Sequence, residues 1–324
     1  MKLPDFTLHR PTNLGSAFAA AEIAGAGGFD WLGGGTDLLC NYKWGIQLRP
    51  HVISLRGVAE LRGGEGTLAA GRTLAEIEGD SEIARRWPVL VGAVASIATP
   101  LIRQTATLGG NLLLDTRCWH FNQTRDWRDA HGSCLKAEAD VCRVVPDPGD
   151  VCVAAYSGDL APVLLVLGAQ VVLVGPDGER TLEIERFYHG DGIRRFRDKR
   201  PDEILLRVEI SAAAESWTTA YRKLRLREAF DFPEGGVAAG VRWDGGVAAD
   251  LRLATTAYDV VPQLYPDIVA PHVGGALDDA AIDAMADALQ DAVRPMRNTS
   301  MSPAYRKKMA RVLCRRAFGA CRPA

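Results

Sequence analysis

The sequence predicts an α+β protein with a two-part N-terminal domain and a separate C-terminal α+β domain. Short strand and helix patterns alternate through the first half of the chain, and a cysteine-rich stretch without steady periodicity interrupts them. Strands followed by two amphipathic helices end the sequence, an order typical of a separate α+β unit. We expect the parts to cover residues 1–57, 58–215 and 216–324, with an insertion at 116–155.

The composition excludes several function classes. The 324 residues are 47% hydrophobic and 24% charged, and the formal net charge is −2. These values are typical of a folded protein with a sizeable core, and they show no basic excess for binding nucleic acid. The N-terminus lacks the apolar run of a secretory signal, and no stretch has the roughly 18 apolar residues of a membrane span. We therefore expect a cytoplasmic protein.

The first part shows a helix start signal and alternating strand patterns. Thr12 or Asn13 is expected to cap a helix that runs to about Ala24. The other elements predicted in this part are a buried strand at 29–32, a helix at 37–44 and a strand at 51–55.

The second part continues the alternation, and the third groups its strands before its helices. In the second part we predict a strand at 66–70, helices at 74–87 and 88–98, a helix beginning at Leu160 and a strand ending at Val174. In the third part we predict strands at 218–225, 235–243 and 250–256, then helices at 277–293 and 303–318.

Four of the seven cysteines, namely Cys118, Cys134, Cys142 and Cys152, lie within the insertion. In a chain without a secretory signal, such a group is more often a metal site than a set of disulfides. Four thiolates can hold a [4Fe–4S] cluster or a tetrahedral zinc, and either would order a long polar loop that lacks a core. The absence of a Cys-x-x-Cys pair disfavours zinc, and unligated thiols are the third interpretation.

Two glycine-rich turns are candidates for binding a diphosphate. The segment Gly33 to Asp37 follows a predicted strand, and Gly109-Gly110-Asn111 follows Thr107. Glycine lets backbone N–H groups approach phosphate oxygens, and a following helix adds a favourable dipole. Neither turn is a G-x-G-x-x-G fingerprint or a Walker A motif, so each is also compatible with an ordinary strand-to-helix turn.

Polar side chains near the two turns suit a nucleotide. Thr36 and Thr107 offer hydroxyl donors, while Asp115 and Asp159 offer acceptors for ribose or amino groups. The alternative role for the two acids is helix capping, since Asp159 directly precedes the apolar helix at Leu160.

Five segments are recognisable together. They are LGGGTDLL at 32–39, ATLGGNL at 106–112, SGDLAPVLLVLGAQV at 157–171, YRKLRLREAFDFP at 221–233 and PAYRKKMARVL at 303–313. They resemble the FAD-binding subunit of the xanthine dehydrogenase and molybdenum hydroxylase family, over nearly the whole chain. The resemblance implies a PCMH-type domain whose two parts hold FAD between them, and a C-terminal domain beside the flavin.

The resemblance also implies which residues bind FAD. The first phosphate loop would be Leu32, Gly33, Gly34, Gly35, Thr36 and Asp37, and the second strip would be Thr107, Gly109, Gly110, Asn111 and Asp115. Ser157 and Asp159 match a turn beside the nucleotide, and Leu205 and Lys223 match positions near the isoalloxazine ring. Arg103 is a further candidate contact or a surface residue. Leu205 is alternatively a core residue, and Lys223 a solvated strand residue.

Within that family, the insertion resembles that of 4-hydroxybenzoyl-CoA reductase medium subunits, through DTRCWHFNQT at 115–124 and GSCLK at 132–136. This resemblance implies that the four cysteines bind a [4Fe–4S] cluster. A large partner subunit would then hold a molybdenum cofactor, a small one would hold two [2Fe–2S] clusters, and the assembly would be a dimer of heterotrimers.

The implied reaction is reductive dehydroxylation of 4-hydroxybenzoyl-CoA, with no catalytic residue in this chain. Electrons from reduced ferredoxin would pass through the cluster and FAD to the molybdenum. One alternative is another molybdenum hydroxylase, of the heterocycle or carbon monoxide dehydrogenase type, whose electrons leave to NAD or a quinone. A self-contained flavin enzyme and a zinc-stapled docking loop are the other two.

Overall fold

The computed structural model describes residues 2–137, 139–147 and 149–323, and these form three β-sheets that follow one another along the chain. The first sheet is parallel, with strand order β1-β3-β2. Its elements are β1 (Thr7–His9), α1 (Leu14–Ala24), β2 (Phe29–Leu32), α2 (Leu38–Lys43) and β3 (His51–Ser54). Asn13 caps α1, since its side chain accepts a hydrogen bond from Ser16 N at 2.8 Å.

The second sheet is antiparallel, with order β4-β7-β5-β6. Its strands are β4 (Leu68–Ala69), β5 (Gln170–Gly175), β6 (Gly178–Glu183) and β7 (Ile204–Glu209). The helices of this region are α3 (Leu74–Glu78), α4 (Ser81–Arg86), α5 (Pro88–Ala95), α6 (Pro100–Arg103), α7 (Leu108–Leu112), α8 (Arg125–His131), α9 (Leu160–Val166) and α10 (Ile184–Phe187).

The single helix predicted at 74–87 is wrong, because the chain forms α3 and α4 there. Gly79 ends α3, and Asp80 then caps α4 by accepting hydrogen bonds from Glu82 N and Ile83 N, both at 3.0 Å. An aspartate that caps the next helix is a stop signal inside an otherwise continuous apolar pattern.

The third sheet is antiparallel, with order β11-β10-β9-β8, and two long helices cover it. Its strands are β8 (Trp217–Leu224), β9 (Gly235–Asp244), β10 (Val247–Thr256) and β11 (Gln263–Leu264), followed by α11 (Pro266–Val269), α12 (Asp279–Ala292) and α13 (Pro303–Gly319). Its core joins strand residues such as Leu253 to Met285 of α12 and Phe318 of α13. Helix α9, buried throughout, packs against both β5's neighbour α10 and the third sheet.

The insertion at 116–155 is mostly irregular. Within it lie α8 and a short 3-10 helix at Leu135–Ala137. It has a small apolar cluster of its own, formed by Ile46, Cys118, Phe121, Cys134, Cys152 and Ala154. Among the described residues, no helix is long and apolar enough to cross a membrane.

Candidate functional site

A large cleft opens between the first two sheets and reaches the start of the third region. Its volume is about 1540 Å³, larger than the pocket of a typical drug-sized ligand. The first sheet contributes the end of β2 and the turn after it, the second contributes α7, and the loop around Phe230 and Phe232 closes one side.

The two glycine-rich turns meet in this cleft. A Cβ added to Gly34 would lie 1.9 Å from the carbonyl oxygen of Thr105, and one added to Gly33 would lie 2.8 Å from Thr107 Oγ1. Gly35 has φ +73°, a left-handed conformation that favours glycine. The first turn therefore needs glycine for contact with the second turn as well as for its own bend.

The second turn is clamped to the end of β4. Thr107 caps α7 by accepting a hydrogen bond from Gly110 N at 3.1 Å, and Gly109 N donates to Ala70 O at 2.8 Å. A Cβ at Gly109 would lie 3.0 Å from both the Cβ and the carbonyl oxygen of Ala70. Backbone bonds thus fix the turn that borders the cleft.

Most residues predicted to bind FAD line the cleft. They are Leu32, Gly33, Gly34, Gly35, Thr36, Asp37, Thr107, Gly109, Gly110, Asn111, Asp115, Asp159 and Leu205. Arg103, Ser157 and Lys223 lie outside this lining. The guanidinium of Arg103 binds Glu78 at 2.8 Å and donates to Ile97 O at 2.8 Å, which makes it a structural link between α6 and α3.

Asp159 and Lys223 form a buried ion pair beside the cleft. Lys223 Nζ lies 3.0 Å from the Asp159 carboxylate, which also accepts a hydrogen bond from Tyr221 Oη at 2.8 Å. Asp159 makes no capping bond to α9, and Lys223 is not a solvated strand residue, so both alternative interpretations are wrong. Burial raises the pKa of Asp159 and lowers that of Lys223, while the ion pair opposes both shifts.

Arg117 also lines the cleft, and the sequence analysis did not identify it. Its guanidinium pairs with Asp37 of the first glycine turn and stacks 4.5 Å from the ring centroid of Phe232. It thus connects the first sheet, the insertion and the C-terminal region. The available sequence signal was its place immediately before the first cysteine of the insertion.

The four cysteines of the insertion line a second, smaller cavity, together with His120 and Lys136 among others. Cys118, Cys134 and Cys152 are buried, and Cys142 is partly exposed. Burial raises the pKa of the Cys118 thiol to about 11, and the neighbouring thiols add to this shift. The four thiols predicted to act together are therefore neighbours in space.

The cavity does not by itself amount to a metal site. Across residues 2–137, 139–147 and 149–323, no three His, Cys, Asp or Glu side chains are placed to hold one metal ion. The space between the side chains is small, about 20 Å³, roughly the room of one water molecule. The predicted [4Fe–4S] site is thus not shown, and the single-zinc alternative gains no support.

Comparison with protein families explains the cleft. The model described as "FAD binding domain in molybdopterin dehydrogenase" matches residues 4–212, and "CO dehydrogenase flavoprotein C-terminal domain" matches 219–321. The chain therefore belongs to the family of molybdopterin dehydrogenase FAD-binding subunits, which are parts of oxidoreductases.

Individual relatives agree with this assignment. The carbon monoxide dehydrogenase medium chain of Afipia carboxidovorans is 28% identical over 96% of this chain and 95% of its own. The xanthine dehydrogenase FAD-binding subunit of Escherichia coli O157:H7 is 29% identical over 69% of this chain and 64% of its own. Reconstituted CO dehydrogenase from Oligotropha carboxidovorans superposes with a TM-score of 0.77–0.78 class similarity, namely 0.78, at 25% identity and 99% coverage of both chains.

Proposed function

We propose that this chain is the FAD-binding, electron-transfer subunit of a multi-subunit molybdenum hydroxylase of the carbon monoxide dehydrogenase or xanthine dehydrogenase type. The meeting of two glycine turns in a large cleft, inside the region that matches an FAD-binding domain, carries the proposal. Bound FAD would supply a carrier that exchanges electrons singly or in pairs, while the protein sets its position and electrostatic surroundings.

Each part of the cleft has a role in this proposal. The glycine turns would present backbone N–H groups to the diphosphate. Asp115 Oδ2 is buried without a hydrogen-bond partner and is available as an acceptor for a nucleotide hydroxyl. The Asp159–Lys223 pair would hold a fixed dipole near the flavin, and Leu205 would give an apolar contact.

The relatives favour the oxidative alternative over reductive dehydroxylation. Their printed names are those of carbon monoxide, xanthine and aldehyde enzymes. A large partner chain would then hold the molybdenum cofactor and a small one two [2Fe–2S] clusters, in a dimer of heterotrimers. Electrons would arrive at FAD from these partners and leave to NAD or a quinone.

The second candidate is a subunit of the 4-hydroxybenzoyl-CoA reductase type, with a [4Fe–4S] cluster on the four cysteines and ferredoxin as donor. The convergence of Cys118, Cys134, Cys142 and Cys152 on one cavity favours it. Around one zinc, thiolate sulfurs would stand about 3.8 Å apart, given Zn–S bonds of about 2.3 Å. Around a four-iron cluster each thiolate binds a different iron, so wider spacing is expected and the thiols would turn outward to admit it.

Anaerobic purification of the full chain tests both cofactors. We expect a flavin spectrum at about one FAD per chain, and, for the second candidate, about four iron and four sulfide per chain with a broad absorption that dithionite bleaches. A chain without flavin contradicts the proposal itself. A chain with flavin but without iron leaves the first candidate and removes the second.

Two variants link the flavin to the glycine turns. Gly34→Ala places a Cβ against the Thr105 carbonyl, so we expect FAD affinity to fall at least about 100-fold, or about 2.7 kcal/mol. Gly92→Ala, in α5 with nothing within 4 Å of the added Cβ, is the matched control and should keep full flavin. Fluorescence titration of the flavin-free protein measures both.

The electron partner separates the two candidates. In stopped-flow experiments on the assembled complex, the oxidative candidate predicts exchange between NAD(H) or a quinone and the flavin. The reductive candidate predicts flavin reduction by reduced ferredoxin, and loss of that rate in a Cys142→Ser complex.

A further inference from the structure

Lys136 connects the cysteine cavity to the large cleft. Its side chain is 1% exposed and lines the cavity, and its Nζ donates to Asp115 Oδ1 at 2.7 Å. Asp115 lines the cleft. A single buried ion pair therefore spans the wall between the two spaces.

The ammonium is held in one place. Its three N–H donors match three acceptors, since Nζ also donates to Thr116 Oγ1 at 2.6 Å and to Thr116 O at 3.2 Å. The ring centroid of Phe121 lies 4.8 Å from Nζ. Such a charge cannot swing away when the occupancy of the neighbouring cavity changes.

A second chain of contacts joins this lysine to the fourth cysteine. Thr116 Oγ1 donates to Gly192 O at 2.9 Å, and Gly192 N donates to Cys152 O at 2.9 Å. Asp191 Oδ1 accepts from Cys152 N at 3.1 Å. The backbone around Cys152 and the Lys136 ammonium thus belong to one hydrogen-bonded unit.

On the cleft side, only one oxygen of Asp115 is engaged within the described residues. Oδ1 accepts from Lys136 and from Thr116 N at 2.9 Å, and Arg195 Nε lies 3.5 Å from it. Oδ2 is buried and unpaired. Lys136 therefore fixes the orientation of a carboxylate whose second oxygen is available to a ligand in the cleft.

We propose that Lys136 is a positioning residue that links the two cofactor sites, stabilising the reduced form of a four-cysteine cluster and orienting Asp115 toward the flavin nucleotide. This inference rests on the second candidate of the proposed function, because it needs a cluster. A fixed positive charge in a poorly hydrated setting favours the more negative, reduced cluster, since charge and hydrogen bonds set cluster potentials.

The test uses the full chain, reconstituted anaerobically with ferrous iron and sulfide and titrated by EPR. In Lys136→Met we expect the cluster potential to fall by at least the equivalent of a tenfold change in its redox equilibrium, about 59 mV for a one-electron couple. FAD affinity should fall at least about tenfold as well. Lys136→Arg, which keeps the charge, should recover most of both.

A matched control removes a different buried cation. Arg72 Nη1 lies 2.8 Å from Asp80, so Arg72→Met also leaves a buried carboxylate without its partner, away from both cavities. We expect its cluster potential and FAD affinity to equal those of the wild type. If Lys136→Met does not fold, a double variant with Asp115→Asn removes the uncompensated charge and is expected to show the same fall in potential.

The outcomes separate the two claims. Equal cluster potentials in the wild type and in the variant that lacks Lys136 would overturn the inference and leave the cluster standing. A shift of the same size in Arg72→Met would also overturn it, because general destabilisation would then account for the effect. A wild-type chain that assembles no cluster would overturn the second candidate and this inference together.

Discussion

Buried cysteines occur in two regions of the molecule with different surroundings. In the C-terminal domain, Cys314 and Cys321 are fully buried among side chains such as Leu313 and Phe318. In the insertion, Cys118 and its neighbours are nearly as buried but face a cavity that also receives an ammonium group. Burial alone therefore does not distinguish a thiol that acts as a small apolar side chain from one that belongs to a ligand set.

Each region also buries a cation, and the cations have different roles. Arg306 is 0% exposed and donates to the carbonyl oxygens of Glu234, Met296 and Ala257, so it ties α13 to the sheet. Lys136 ties the insertion to the wall of the cleft. The C-terminal cation completes a core, whereas the cation of the insertion lies between two cavities.

The largest expected difference between the regions is in iron content. In the second candidate, Cys134→Ser should abolish iron and sulfide binding while flavin stays bound, because a four-iron cluster would lose a ligand. Cys314→Ala should keep all of its iron and lose roughly 1–2 kcal/mol of stability through its small cavity. Iron analysis and urea unfolding measure the two effects, and equal iron in both variants would erase the contrast.

The next effect concerns the C-terminal cation. Arg306→Met leaves three buried carbonyls without their donor, so we expect a loss of roughly 3–5 kcal/mol in the free energy of unfolding. Denaturant unfolding followed by tryptophan fluorescence measures it. Arg316→Met, on an exposed position of the same helix, is the control and should change stability by less than about 0.5 kcal/mol.

Alkaline stability depends on the buried C-terminal thiols. Burial raises the pKa of Cys314 from 9.0 to about 12, so between these pH values the folded state keeps a proton that the unfolded state loses. Stability should therefore fall as pH rises from about 9 to 12, by up to about 4 kcal/mol for this thiol. Cys314→Ala should flatten the decline in urea unfolding curves, and Cys40→Ala, at an exposed thiol, should not.

The smallest effect tests how tightly the insertion is packed. A Cβ at Gly192 would lie 2.9 Å from Cys152 Sγ and 3.1 Å from Thr116 Oγ1. We expect Gly192→Ala to cost roughly 1–3 kcal/mol by overpacking. Gly190→Ala, with nothing within 4 Å, should be neutral. If both variants unfold at the same urea concentration as the wild type, the packing around Cys152 is looser than described.

Local sequence signals predicted much of the fold. The Asn13 cap, the long C-terminal helices and the strands of the third sheet follow from capping and periodicity. β6 was missed, because its residues GERTLE are mostly exposed and give no apolar pattern. β7 was also missed, although Leu205 within it was identified as a candidate contact.

The site was predictable where resemblance supplied residues, and not where contacts cross between regions. The glycine turns were identified, but the approach of Gly34 to Thr105 depends on how two distant segments pack. Arg117 and Lys136 were missed for the same reason. A lone basic residue in a polar loop carries no periodicity, and only its partners, Asp37 and Asp115, reveal its role.

Helix α9 has a consequence for dissecting the chain. All seven of its residues are buried, and it contacts β8, β9 and β10 of the C-terminal domain while it belongs to the preceding region. A truncation after residue 215 would leave this greasy segment open to water. The cover beside the flavin is thus built as a bonded wall rather than a hinged flap, and the two halves should be expressed together.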